Sequence, residues 1–315
     1  MRPVGLISNP GSGHNRDRFA GIREQLDAAP GVHHQVTNDK TDIAAALDKL
    51  VAQRVEVLAI NGGDGTAAAI LGQLLEHPGF EQIPQIVLLP GGTANMTAGD
   101  VGVPGKLQTA VTRFCRWCEE GATAVSAEAR PMLRVRSPDG SHHYGMFLGG
   151  GAVMQGTEYA HREIHSRGLR DDFSLALGTA RTLWGVFRDD PSFNQHVEMA
   201  LSLDGAESIK HDTLILAIST LQRLAFGMRP FWGAGEGAIR LTLMEQHCTA
   251  FLRTFVSIAR GRPNGNAVPG SGYFSHNADH INLTLCGSLN LDGEIIEVDG
   301  SVGITPTRPL EFLRL

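Results

Sequence analysis

The stretch that decides the fold runs from Val55 to Leu71, VEVLAINGGDGTAAAIL. An apolar run, VEVLAI, leads directly into a glycine loop and then an alanine-rich segment with helical propensity. A strand, a glycine turn and a helix in that order form a common anion-binding unit. Glycines let backbone N–H groups approach closely, and the helix N-terminus adds a favourable dipole. Asp64 sits in the middle of this loop. A bare carboxylate would repel a phosphate there, unless a divalent cation lies between them or the aspartate faces a sugar or water instead.

Two further loops have the same setting. NPGSG (Asn9–Gly13) follows the apolar run VGLIS, and PGGTAN (Pro90–Asn95) overlaps the end of QIVLLP. Between them lie segments of helical spacing, RDRFAGIREQL with Phe19, Ile22 and Leu26 on one face, and TDIAAALDKLVAQ, for which Thr41 or Asp42 is the expected cap. HHQVT supplies another short strand, and KLQTAVTRFCRWCEEG another helix. Short apolar strands separated by helices predict a parallel sheet covered on both faces, a three-layer α/β domain over residues 1–127. All three loops then open at the carboxyl ends of strands, where such sheets bind ligands.

From about Glu128 onward the texture changes. PMLRVRS, HHYGMFLGG, NQHVEMALSLD, DTLILAIST, AIRLTLME, HINLTLCGS and EIIEVDG read as strands separated by turn residues, which predicts a β-rich second domain over 128–302. A helical insertion is expected at Thr157–Phe187, and the tail 303–315 is expected to pack back on the first domain.

A chain of 315 residues is long enough for two such cores. Its net charge of -6 argues against a general nucleic-acid binder and against docking on anionic membranes by overall charge, while leaving room for a local basic patch. Cys115, Cys118, Cys248 and Cys286 are too few for a disulfide framework and fit a reducing compartment. Cys115 and Cys118 of CRWC read as residues on a helix face, because no second CxxC accompanies them. The N-terminus enters a strand at once, and no apolar run reaches the ~18–20 residues of a spanning helix. A cytoplasmic protein is the expectation, with peripheral membrane contact and a homodimer both open.

Neither common nucleotide loop fits. A Walker loop needs Lys followed by Ser or Thr after the last glycine, and GSGHNR has neither. A dinucleotide fingerprint needs a third glycine where Arg16 stands. What remains is a cradle of backbone amides with Ser12, Thr66, Thr93 and Asn95 around phosphates, and Asp64 acting through a metal.

NPGSG, GGDGT and PGGTAN, in this order and spacing, resemble the diacylglycerol kinase catalytic-domain family of bacterial lipid kinases and sphingosine kinases. The late LDGE (Leu291–Glu294) extends the likeness toward the end of the chain. The resemblance implies an N-terminal nucleotide domain, a C-terminal β-sandwich and an active site in the cleft between them. It implies ATP and Mg²⁺ as cofactors and a lipid hydroxyl as acceptor. It also implies a nucleotide site at Asn9, Pro10, Gly11, Ser12, Gly13, Thr37, Gly62, Gly63, Asp64, Gly65, Thr66, Ala67, Ala68 and Thr93. Glu294 stands where the family has its proton acceptor, with Asp292 beside it and Asp64 toward the metal.

The sequence departs from that pattern at Met96, where the family has aspartate; Asp100, one helical turn on, is the candidate substitute. GGGAVMQ (Gly149–Gln155) lacks the family's acid, and PFWGAGEGAIRL keeps only Glu236 of a metal-binding acidic segment. The expected activity is ATP-dependent phosphorylation of a lipid hydroxyl. The alternatives are a nucleotide- or lipid-binding relative with little turnover, and a kinase of a small alcohol or of NAD. Two features stand apart. HREIH places His161 and His165 one helical turn from each other, and FLRTFVSIARGR (Phe251–Arg262) mixes apolar residues with three arginines, as either a membrane-facing segment or a buried helix with exposed arginine tips.

Overall fold

The structure is a computed structural model that describes residues 2–151 and 197–315. The expected helical insertion, HREIH and the end of GGGAVMQ lie outside the described residues. The chain divides into two compact units, one of residues 1–130 with 309–315, the other of 131–308.

The first unit is built on a six-stranded sheet in the order β2-β1-β3-β4-β15-β5. Strands β1 (Val4–Ser8), β2 (Val32–Val36), β3 (Val57–Gly62) and β4 (Gln85–Pro90) are parallel neighbours. β1 and β3 are buried along their whole length, which is why they read as unbroken apolar runs. β15 (Leu310–Leu313) pairs parallel with β4, and β5 (Ala127–Arg130) closes the edge antiparallel to β15. The expected parallel sheet is thus extended at that edge by one antiparallel strand. The polar four-residue stretch AEAR is too short to show a period.

The helices are α1 (Asn15–Asp27), α2 (Asp42–Ala52), α3 (Asp64–Glu76), α4 (Met96–Val101) and α5 (Leu107–Glu119). One core joins Phe19, Ile22 and Leu26 of α1 to Val111 and Phe114 of α5 and to Leu6, Ala59 and Val87 of the sheet. Cys115 and Cys118 are buried on α5, and burial pushes their thiols up to about 11 and about 12, so they serve as core residues. The expected cap of α2 is replaced by another device. Thr41 makes no side-chain cap, and the Asp42 carboxylate instead accepts the N–H groups of Asn38 and Asp39 ahead of the helix.

Among the described residues the second unit carries a nine-stranded antiparallel sheet, eight strands on the path β12-β11-β10-β8-β13-β14-β6-β7 and β9 off it, bonded to β10 and β13. β8 (Phe147–Gly151) and β9 (Val197–Leu203) lie end to end in one slot. β9 pairs with the first half of β10 (Ile209–Ser219) and β8 with the second half. The path is continuous, yet Val135 of β6 (Leu133–Arg136) and Leu241 of β11 (Ile239–Glu245) share a core. The sheet therefore curls until its two wings face each other, as the inner faces of a sandwich do. Strand β12 (Tyr273–Ala278) and the break before β8, where β7 (His142–Gly145) ends, were not expected from the sequence.

Candidate functional site

The strand order 2-1-3 places a topological switch point between β1 and β3, and the three glycine loops leave the sheet at its carboxyl edge there. They touch each other through backbone. A Cβ on Gly92 would lie 2.3 Å from the Cα of Gly63, and one on Gly13 would lie 2.6 Å from the backbone nitrogen of Thr93. Side chains stitch the same loops. The Asn9 amide accepts the N–H of Gly11 at 2.9 Å and donates to Thr66 Oγ1 at 3.0 Å. Thr66 Oγ1 lies 3.1 Å from Ser12 Oγ. Asn95, in a left-handed conformation, closes the third loop by bonding both the N–H and the carbonyl of Gly92.

Asp64 opens α3, and its carboxylate is already engaged. One oxygen accepts the N–H of Met96 at 3.0 Å and the other that of Thr97 at 2.8 Å. Both donors belong to the first turn of α4, where a negative charge meets unsatisfied N–H groups. The aspartate in the glycine loop is thus a clasp that fastens the second loop to the helix following the third. Gly63, at the N-cap of α3, has no side chain to cap that helix, so its first turn is left open to an anion.

The metal expectation finds no donor set. Among the described residues no group of three or more His, Cys, Asp or Glu side chains converges where it could hold a metal. Glu236 is exposed ahead of β11. Asp100, the candidate substitute at Met96, is buried and faces Arg130 at 3.6 Å, which itself bonds Glu128. A buried carboxylate paired with a guanidinium is committed. Among the described residues no group of three or more donors therefore includes Asp64, Asp100 or Glu236.

Thr37, just after β2, is buried, and its N–H donates to Ser8 at 2.9 Å. Ala67 and Ala68 are buried in the first turns of α3, where small side chains suit the core side of the helix. Pro10, Gly65 and Thr93 stand in the loops as expected.

In the second unit, Asp292 and Gly293 form the two-residue turn between β13 (Ile281–Leu291) and β14 (Glu294–Pro306), both at positive φ. That is the turn whose twist suits a hairpin. The Asp292 carboxylate is buried and accepts the N–H groups of Met146 at 2.6 Å and Phe147 at 3.2 Å, bracing the break between β7 and β8. Glu294, two residues on, is exposed.

Two features escaped sequence reading. Asn15, fully buried at the start of α1, donates its side-chain amide to the carbonyls of Asn9 at 2.9 Å and Asn61 at 3.2 Å, and its backbone N–H to Gly91 at 3.1 Å. It reaches all three loops. Its only sequence signal is an amide immediately after NPGSGH. Beneath β1 runs a second chain of polar groups. Asp27 Oδ1 lies 2.5 Å from His34 Nδ1, His34 Nε2 lies 2.8 Å from Ser8 Oγ, and Asn61 donates to the same hydroxyl at 3.3 Å. Ser8 is fully buried, so this Asp-His-Ser line braces the ends of β1 and β3 rather than attacking a substrate.

Burial is the main influence on His34 and pushes its imidazole below the usual 6.5, against the opposing pull of Asp27. The Asp27 carboxyl is held below 3.8, chiefly by its bond to His34. The neutral ring donates from Nδ1 to Asp27 and accepts the Ser8 hydroxyl. Because His34 binds its proton less readily folded than unfolded, its contribution is complete above 6.5 and is lost as pH falls below that value. Thermal unfolding should therefore come at lower temperature as pH drops through the range just under 6.5, and His34→Gln should flatten that slope. An unchanged slope in the variant removes His34 as its source.

Residues 3–126 match the family model of the diacylglycerol kinase catalytic domain. The chain is 35% identical over 106 residues to a "Probable lipid kinase YegS-like" of Enterobacter sp. (strain 638), covering 34% of this chain and 35% of that protein. It is 34% identical, over the same shares, to a "Probable lipid kinase YegS" of Escherichia fergusonii. The matched part thus spans about a third of the curated relatives' length. A crystal structure of a diacylglycerol kinase from Bacillus anthracis str. Sterne superposes with a TM-score of 0.65 at 17% identity, covering 96% of this chain and 94% of that one. At that identity the likeness concerns the fold.

Proposed function

We propose, from the premise that residues 3–126 match the diacylglycerol kinase catalytic domain, that the protein is an ATP-dependent kinase of a lipid hydroxyl. The observation that carries this reading is the packing of three glycine loops at the switch point, with the open N-terminus of α3 among them. Backbone N–H groups and the hydroxyls of Ser12, Thr66 and Thr93 suit the phosphates of a nucleotide. The acceptor oxygen attacks the γ-phosphorus, the bond from that phosphorus to the bridging oxygen breaks, and its electron pair leaves with ADP. The hydroxyl proton passes to a carboxylate, a role assigned to Glu294. Asp292 is given the holding of that hairpin. No step is assigned to a protein-held metal.

The test is transfer of label from γ-labelled ATP to a panel of lipid alcohols, with NAD and small soluble alcohols alongside. Label in a lipid-extractable product is expected. Label only on NAD or a soluble alcohol overturns the lipid assignment, and tight ATP binding without transfer overturns the kinase.

Asp64→Asn distinguishes a clasp from a purely catalytic group. The amide keeps one acceptor and turns its own N–H toward another donor, so stability should fall by about 1–2 kcal/mol, with a rise in the KM for ATP. A variant with unchanged melting temperature and abolished turnover would return the aspartate to direct catalysis.

A further inference from the structure

Helix α6 (Phe251–Ala259) lies on the second unit with Thr254 and Ile258 buried and with Phe251 and Phe255 packed against the cluster of Leu214, Met244 and Tyr273. Its opposite face carries Arg253, Val256 and Arg260, spaced i, i+3, i+7, all exposed. Val256, an aliphatic residue, is 41% exposed. The turn 224–229 is held beside the end of this helix, where the N–H of Arg229 donates to the carbonyl of Ala259 at 2.9 Å. At the tip of that turn Phe226 takes a left-handed φ of 58° and leaves its side chain 55% exposed. A bulky residue in that region is uncommon, and here it displays a ring to solvent.

Charge sets these segments apart from the rest of the chain. The protein has a net charge of -6, yet no Asp or Glu occurs from 213 to 235 or from 246 to 278. Within those two segments stand Arg223, Arg229, Arg253, Arg260 and Arg262, all exposed. Among the described residues none of the five forms an ion pair with a carboxylate.

We propose that this surface, the Phe226 turn with the Arg253–Val256–Arg260 face of α6, docks the protein on an anionic lipid bilayer. Arginines at the rim meet phosphate headgroups, and Phe226 and Val256 enter the interfacial layer, as on an amphipathic interfacial helix. A nucleic acid would use the arginines but gain little from an exposed aliphatic face. The inference takes its motive from the lipid-kinase reading, but vesicle binding is read without nucleotide. Docking without phosphate transfer would keep this surface and sink the kinase, while transfer to detergent-dispersed lipid without docking would do the reverse.

The experiment is flotation of the full chain with phosphatidylcholine vesicles and with vesicles of phosphatidylcholine and phosphatidylglycerol. Binding to the anionic vesicles should be at least about tenfold stronger and should weaken as salt rises. Arg253→Glu with Arg260→Glu should lower it by about tenfold or more, and Phe226→Ala by about tenfold at high salt. The exposure of these residues means all variants should melt near the wild type. Equal binding to both vesicles, binding to neither, variants that melt and bind like the wild type, or a preference for duplex DNA that the same charge reversals abolish would each overturn the proposal.

Discussion

Alanine at Gly92 should separate the glycine loops and remove nucleotide binding. The added carbon would lie 2.3 Å from the Cα of Gly63 and 3.0 Å from the Asn95 side-chain oxygen. The nearer neighbour is backbone and cannot swing aside, so the loops must part by more than about 1 Å to restore an ordinary carbon contact. We expect Gly92→Ala to destabilise the first unit by about 3 kcal/mol and to weaken ATP affinity by roughly 10²-fold. Gly99→Ala is the control, since a Cβ there meets nothing within 4 Å and the residue lies inside α4. Alanine favours a helix over glycine by about 0.5–1 kcal/mol, so the control should melt at or above the wild-type temperature. Calorimetry with ATP measures both quantities. A Gly92→Ala protein that binds ATP normally would show that the contact between loops does not shape the site.

Glu294→Gln should act on turnover alone. The glutamate begins β14 after a tight turn and is exposed, and the turn is held by Asp292 through Met146 and Phe147. Glutamine keeps the size but cannot take a proton, so kcat should fall by roughly 10²–10⁴-fold while ATP affinity stays within error. Single-turnover transfer and equilibrium ATP binding separate the two. Lost affinity with intact kcat would move Glu294 to the nucleotide side, and an unchanged kcat would leave the proton with another group.

Strands β1, β3 and β4 of the first unit were legible because each is buried along nearly its whole length and so is written as an apolar run leading into a glycine loop. The polar edge strand β5 and the polar strand β12, YFSHNA, carry no such signature, since their pairing depends on partners far away in sequence. The same limit applied to the site. Glycine loops announce themselves locally, and residues 3–126 bear out the family likeness they suggested. The duty of Asp64 does not, because its donors are Met96 and Thr97, over thirty residues later. Asn15 was hidden for a similar reason: three short loops define its value, and each contributes one carbonyl.

Strand β15 has a consequence for how the protein is made. It sits between β4 and β5 in the first sheet, and its Glu311 accepts a hydrogen bond from Gln85, 226 residues away. During synthesis the first 130 residues emerge with β4 and β5 exposing unsatisfied edges, and these stay open until Leu310–Leu313 has left the ribosome. Pairings of such separation form slowly, and an open edge is a template for other chains. The nascent first unit therefore passes a waiting period in which its edges are open to pairing with other chains. Slowing the ribosome between the codons for β5 and those for β15 would lengthen it.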